Sequence, residues 1–76
     1  MDILDWQELA NSRKRVRDSD KYPCGNLIAE YKDNIIILEG DIKSHEYMVP
    51  KSKVGYYDGQ EIYLDIPYSM LSDFNF

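Results

Sequence analysis

The sequence predicts an all-β protein, a small antiparallel β-barrel of about five or six strands with short N- and C-terminal helices. Short segments that alternate apolar and polar residues are separated by turn-forming residues, which is typical of strands joined by tight turns. The chain has only 76 residues, and closing so few strands into a barrel removes the exposed sheet edges that promote aggregation. An open sheet packed with helices is the alternative.

The first predicted element is a short helix over residues 2–11. Asp2 or Asp5 can cap its start, and Glu8 follows Asp5 at the spacing of a capping box. Asn11 offers a stop at the other end. A helix of this length is marginal alone, so we expect its apolar face to pack on the rest of the protein.

The predicted barrel covers residues 13–66, and a closing helical turn follows over residues 67–74. Strands are expected at 13–17, around 27–31, at 35–39, at 46–49 and at 61–66, with tight turns at 32–34 and 56–59. In the strand at 35–39, apolar residues occupy both faces. One face fills the barrel, and we expect the other to be covered by a helix, a loop or another subunit.

Charge and composition limit the classes of function. The chain carries 9 Lys and Arg against 14 Asp and Glu, and residues 22–76 account for the whole net charge of −5. An acidic body repels phosphate, so nucleic-acid binding is disfavoured. The longest apolar run has four residues and the first five residues carry no cation, so we expect no membrane insertion and no signal peptide. The lone Cys24 fits a reducing cytoplasm.

The sequence contains few groups suited to catalysis or metal binding. Cys24 and His45 are the single cysteine and histidine, whereas a zinc site normally needs three or four such ligands. Nothing in their spacing pairs them as a nucleophile and its base. The paired carboxylates, which we interpret as solvated edges, are Asp18 with Asp20 and Glu61 with Asp65. We therefore expect no enzyme activity, no metal and no cofactor.

Several ordered segments of residues 13–66 resemble the PRC-barrel family, and within it the short stand-alone members common in archaea. The segments are Val16-Arg17-Asp18-Ser19-Asp20, Gly25 at the start of an alternating strand, Tyr47-Met48-Val49-Pro50-Lys51-Ser52-Lys53-Val54, Tyr57-Asp58-Gly59 and Ile62-Tyr63-Leu64-Asp65-Ile66. The family often has Asp-Gly in its first turn. This sequence departs from that pattern, because Lys21-Tyr22-Pro23-Cys24 stands between Asp20 and Gly25.

The resemblance implies a small barrel of about six strands that lacks a known catalytic site and acts as an interaction module. Relatives occur in the photosynthetic reaction-centre H subunit, in a ribosome maturation factor that docks on a ribosomal protein, and in the archaeal cell-division machinery. It therefore implies a non-enzymatic protein–protein adaptor, with archaeal cell division as its setting. An RNA- or ribosome-associated factor is the alternative, and a small-ligand binder in the barrel mouth is a third reading.

The tyrosines are the leading candidates for partner binding. The chain has seven Tyr against two Phe, and Tyr is favoured at interfaces because a large apolar ring carries a hydroxyl that tolerates water. The candidates at turns or on predicted outward faces are Tyr22, Tyr56, Tyr57, Tyr63 and Tyr68, with Met48 and Met70 as additions. Alternatively, these rings cover the ends of a barrel too small to hide them.

The basic run is a second candidate surface. On a strand, Arg13, Arg15 and Arg17 would share one face. Such a face could bind an acidic partner or RNA. We favour the alternative that these cations balance the chain's own acids and discourage edge pairing.

Large apolar residues outside the predicted strands raise the question of a second subunit. They are Trp6, Leu71, Phe74 and Phe76. These side chains either close the barrel ends or meet another copy. Since small domains often gain stability by association, we expect a homodimer or a heterodimer with a paralogous barrel.

Overall fold

The part of the chain that the structure describes contains six strands, one short α-helix before them and two 3-10 helices. The computed structural model describes residues 4–40 and 43–75. In chain order the elements are α1 Trp6–Asn11, β1 Arg15–Arg17, β2 Pro23–Tyr31, β3 Asn34–Glu39, β4 His45–Pro50, a first 3-10 helix Lys51–Lys53, β5 Val54–Tyr57, β6 Glu61–Leu64 and a second 3-10 helix Tyr68–Phe74. The prediction of a mostly β protein with about six strands and short terminal helices is confirmed.

The strands form one sheet in the order β4-β3-β2-β1-β6-β5. β1 and β6 run parallel, with Val16 opposite Ile62, while the other neighbouring pairs are antiparallel. The prediction of a wholly antiparallel arrangement is therefore wrong for this pair. Alternation of apolar and polar residues fixes which side chains face inward, but it carries no information on strand direction.

Closure of the sheet into a barrel is not found. β4 and β5 lie at the two edges, and no hydrogen-bonded ladder joins them within residues 4–40 and 43–75. The first 3-10 helix connects these edges and donates from Lys51 N to Asp33 O at 2.8 Å. Its Lys53 carbonyl accepts from Asp65 N at 2.6 Å. The two edge strands are thus tied together at one end.

The N-terminal helix is shorter than predicted. It begins at Trp6, because the Asp5 side chain accepts from Glu8 N at 3.2 Å and caps the first turn. Residues 2 and 3 of the predicted helix lie outside the described residues. The helix ends at Asn11, as expected. Arg13 follows with φ of 50°. The strand predicted at 13–17 therefore begins only at Arg15.

The β2–β3 hairpin turns at the predicted place by a different backbone conformation. Tyr31 pairs with Asn34 across the turn, and the residue with positive φ is Lys32, at 54°. The prediction assigned that conformation to Asp or Asn. At the other end of β2, Gly25 has φ of 126° and a Cβ there would clash with the Leu38 carbonyl. Glycine is therefore required where β2 approaches β3.

The core lies between the inward face of the sheet, α1 and the second 3-10 helix. Its members are Trp6, Leu9, Ala10, Val16, Cys24, Leu27, Ile35, Ile37, Tyr47, Val49, Ile62, Leu64, Ile66 and Leu71. Phe74 packs against this cluster. Trp6, Leu71 and Phe74 therefore contribute to the core of their own chain, whereas Phe76 lies outside the described residues.

The strand at 35–39 has apolar residues on both faces, as predicted. Ile35 and Ile37 point into the core, while Ile36 is buried without belonging to it. Ile36 lies in a shallow depression of the outer surface with Tyr31 and Met48. Neighbouring side chains of the same sheet thus supply part of the cover expected for this face.

Candidate functional site

Four of the five predicted partner-binding tyrosines fall on two separate surfaces. The first is the outward side of β1, β6 and β5, which we call the aromatic face; it consists of Arg15, Arg17, Tyr56, Glu61 and Tyr63. The strand register builds it: Arg15 lies opposite Glu61, while Tyr63 lies between Arg17 on β1 and Tyr56 on β5. Alternation along β6 turns Glu61 and Tyr63 outward and Ile62 inward, as predicted.

Two stacked rings form the centre of the aromatic face. The rings of Tyr56 and Tyr63 are nearly parallel, with centroids 4.5 Å apart and planes 10° apart. Tyr56 is 53% exposed, whereas Tyr63 is half-buried. The Tyr63 hydroxyl donates to Asp58 Oδ2 at 3.3 Å. Burial, followed by the charge of Asp58, raises the pKa of Tyr63.

Glu61 holds the arginines of the aromatic face in place. Its carboxylate accepts from Arg17 Nε and, at 3.4 Å, from Arg17 Nη2, and it lies 3.6 Å from Arg15 Nε. The hydrogen bond from Arg17 lowers the pKa of Glu61, and the same bond raises the pKa of Arg17. The Arg15 side chain is 69% exposed. Intramolecular pairing therefore engages Arg17 fully and leaves most of Arg15 open to solvent.

A turn anchored by Asp58 supports the same face. Asp58 Oδ1 accepts from Gln60 N at 2.8 Å and from Glu61 N at 2.7 Å. These backbone bonds, the one from Glu61 first, lower the pKa of Asp58. Gly59 continues the turn with φ of 98°, which glycine adopts without steric cost. The turn fixes the start of β6 and hence the position of Glu61.

The second surface is a shallow groove at one end of the molecule, which we call the end groove. It has a volume of about 510 Å³ and is lined by Asp18, Asp20, Lys21, Tyr22, Pro23, Pro67, Tyr68 and Ser69. The rings of Tyr22 and Tyr68 are in contact, with centroids 5.0 Å apart and an interplanar angle of 53°. Tyr22 is 55% exposed. The groove brings together two residues that are 46 positions apart in the sequence.

Asp18 organises the backbone of the end groove. It is 2% exposed, and its Oδ1 accepts from Asp20 N at 2.8 Å and Tyr22 N at 2.7 Å. Its Oδ2 accepts from Tyr68 N at 2.7 Å. One carboxylate therefore connects the turn after β1 with the start of the second 3-10 helix. Three such hydrogen bonds satisfy a charge that would otherwise be costly to bury.

Glu39 fixes the ring of Tyr68 from the opposite side. Its Oε1 accepts from the hydroxyls of Tyr68 at 2.7 Å and Tyr47 at 2.9 Å. The bond to Glu39 raises the pKa of Tyr68, and burial is the main cause of the raised pKa of Tyr47. Nearby Cys24 is fully buried and donates from its thiol to Tyr22 O at 3.4 Å. Burial is the main cause of the rise in its pKa to about 12.

Two of the predicted partner-binding residues belong to neither surface. Tyr57 is half-buried, packs against the core and donates from its hydroxyl to Gly59 O at 2.9 Å. Arg13 is exposed, but it lies between α1 and β1, so it does not share a strand face with Arg15 and Arg17. The left-handed conformation that ends the helix separates Arg13 from the other two arginines.

Three carboxylates organise these surfaces, and their roles were not predicted: Asp18, Glu39 and Glu61. The interpretation of Asp18 as a solvated edge is wrong, because it is 2% exposed and accepts from three backbone N–H groups. Asp18 carries a local signal, because an Asp at the start of a turn often accepts from backbone N–H groups two or more residues later. For Glu61, the interpretation as a solvated edge is wrong, since the Arg17 guanidinium covers it. Its partner comes from a strand 44 residues earlier, and no local pattern indicates that pairing.

The described residues show neither a metal-binding cluster nor a helix that could span a membrane. Within the described ranges, no three or more His, Cys, Asp and Glu side chains cluster so as to hold a metal ion. In the same ranges, no helix has the length and apolar character needed to cross a bilayer. No protein-family model, curated protein or solved structure matches the chain.

Proposed function

We propose that this protein is a non-enzymatic interaction module that binds another protein through the aromatic face. The observation that carries the proposal is the stacked pair of exposed Tyr56 and half-buried Tyr63, on the same face as the exposed Arg15. Tyr and Arg are among the residue types most enriched at the few interface positions that supply most of the binding energy. A stacked pair also binds without ordering two free side chains, which lowers the entropy cost of association.

The charges of the face favour a protein partner over RNA. Glu61 lies between both arginines and neutralises much of their field, and Asp58 adds a second carboxylate beside Tyr63. A phosphate backbone needs uncompensated cations, because cation–phosphate contacts supply most of its affinity. An RNA- or ribosome-associated factor therefore remains the second function, with Arg15 as its sole open cation on this face.

The finer proposal is a short archaeal-type PRC-barrel adaptor that acts in the cytoplasm with the cell-division machinery. Its support is the set of ordered segments within residues 13–66, together with the 3-10 connection that ties the two sheet edges. A homodimer, or a heterodimer with a paralogous barrel, belongs to the same proposal. Support for association comes from the small size of the domain, since small domains often gain stability by association.

A quantitative pull-down with matched variants tests the aromatic face. Tyr56→Ala removes an anchor that is 53% exposed, and Tyr31→Ala removes a ring of equal exposure on another surface. We expect a protein captured from native extract by the wild type to be depleted at least ~10-fold with Tyr56→Ala. Capture by the Tyr31→Ala variant should match the wild type.

Two outcomes would contradict the proposal. Equal capture by both tyrosine variants and the wild type would exclude the aromatic face as the binding surface. Capture that is abolished by nuclease and by Arg15→Gln, but not by Tyr56→Ala, would favour the RNA-associated function. Steep loss of that binding with added salt would support the same conclusion.

A further inference from the structure

The end groove presents an aromatic surface that is separate from the aromatic face. The ring of Tyr22 is 55% exposed and rests against the ring of Tyr68. Pro23 and Pro67 also line the groove. The groove is shallow, and its lining combines these four rings with Asp18, Asp20, Lys21 and Ser69.

From this geometry we propose that the end groove binds a proline-rich segment of another protein in the polyproline II conformation, with basic residues at its end. Pyrrolidine rings pack well on aromatic faces, and proline fixes the backbone before binding, so little entropy is lost. A polyproline II backbone has no internal hydrogen bonds. A shallow groove that presents a pair of aromatic rings can therefore accept it.

Two carboxylates preorganise the groove, one of them in its lining. Asp18 accepts from the backbone N–H groups of both Tyr22 and Tyr68. Glu39 accepts from the Tyr68 hydroxyl with both oxygens, at 2.7 and 2.8 Å. The position of the Tyr68 ring is thus set at both ends. Such fixation lowers the cost of binding, as it does for any rigid recognition surface.

One polar group of the groove is free to contact the ligand. The Tyr22 hydroxyl makes no hydrogen bond to any of the described residues. It can therefore donate to one of the carbonyls that a polyproline II segment leaves unpaired. This bond would fix the register of the ligand, while the rings supply most of the contact area.

The proposed ligand is a segment of a different protein. The three prolines of these 76 residues, Pro23, Pro50 and Pro67, are far apart in sequence. No proline-rich segment therefore lies within the sequence itself. Asp20 and Lys21 balance each other at the rim of the groove, but the net charge of −5 attracts a basic segment over longer range.

Titration of the full chain with synthetic peptides tests the proposal, monitored by calorimetry and by backbone amide shifts. The probe is a peptide of about ten residues, rich in proline and ending in two arginines. Its control has alanine in place of each proline and keeps the arginines. We expect the proline peptide to bind at least ~10-fold more tightly than the control and to shift the amides of Tyr22 and Tyr68.

Variants at two tyrosines of similar exposure locate the site. Tyr22→Ala should weaken binding of the proline peptide at least ~10-fold, whereas Tyr31→Ala should change it less than ~2-fold. Tyr22→Phe keeps the ring and should cost only the single hydroxyl bond. Tyr56→Ala should leave peptide binding unchanged, so this proposal and the proposed function can fail independently.

Three results would overturn the proposal. The first is no binding up to about 1 mM peptide, which is weaker than a specific groove should give. The second is equal binding of the proline and alanine peptides, which would indicate attraction by charge alone. The third is shifted amides confined to residues away from the groove, which settles the location even where a variant is poorly folded.

Discussion

Substitution of the buried Asp18 should show how much its individual hydrogen bonds contribute to the free energy of unfolding. The wild-type side chain accepts from three backbone N–H groups, those of Asp20, Tyr22 and Tyr68. In Asp18→Asn, the amide oxygen can keep the two bonds made by Oδ1. The amide nitrogen then faces the N–H of Tyr68, where a donor meets a donor. In Asp18→Ala, all three bonds are lost.

The expected cost follows from the number of bonds and from the access of water to each. A hydrogen bond to a charged group contributes about 1.5–3 kcal/mol. Asp18→Asn should therefore lower the free energy of unfolding by about 2 kcal/mol. Asp18→Ala should lower the free energy of unfolding by about 3–5 kcal/mol. This is less than the loss of three full hydrogen bonds, because water can reach the backbone N–H groups of the exposed Asp20 and Tyr22. A chain of this length has about 4–11 kcal/mol in total.

Urea unfolding followed by circular dichroism measures both variants. With a slope of about 1 kcal/mol/M, Asp18→Asn should shift the midpoint down by about 2 M. Asp20→Asn is the matched control, because Asp20 is exposed, and its midpoint should stay within about 0.5 M of the wild type. Hydrogen exchange at the Tyr68 amide should accelerate in Asp18→Asn. A midpoint for Asp18→Asn equal to that of the control would refute the reasoning.

Three other side chains give measurable expectations. Glu61, whose pKa is lowered chiefly by Arg17, stabilises the fold above its unfolded pKa and loses that contribution as pH falls through the folded value. The melting temperature should therefore fall less in Glu61→Gln than in the wild type between about pH 5 and about pH 3, and equal falls would contradict this. Lys32→Gly should raise the free energy of unfolding by about 0.5–1 kcal/mol, because Lys32 has φ of 54°. Asp33→Gly in the same turn should lower the free energy of unfolding. Urea unfolding measures both variants. Cys24, buried with its pKa raised to about 12, should react with a thiol reagent at pH 8 at least ~100-fold faster after unfolding; equal rates would disprove its protection.

Local patterns were sufficient to predict the parts of the fold that depend on local chemistry. The alternation in β6 correctly placed Ile62 inward and Tyr63 outward. The capping residue Asp5 and the end of α1 at Asn11 follow from nearby polar side chains. These features involve residues within a few positions of each other, where residue type and spacing determine the structure.

The parts that could not be predicted depend on pairs distant in sequence. The parallel pairing of β1 with β6 joins Arg15 to Glu61, and nothing near either residue specifies its partner. The left-handed conformation of Arg13 removed it from the strand that alternation assigned to it. The sequence predicts Tyr57 at a turn, but its ring packs against the core.

The same arrangement explains why tyrosine content alone could not locate a binding surface. Asp18 fixes the backbone of Tyr22, Glu39 binds the hydroxyl of Tyr68, and Glu61 lies beside Tyr63. Each carboxylate makes hydrogen bonds that position a ring or the strand that carries it, so these acids do not act as solvated charges. What remains open to a partner is the ring surface that each carboxylate positions. The exposed Tyr22 and Tyr56 are therefore the two positions at which substitution should separate binding from stability.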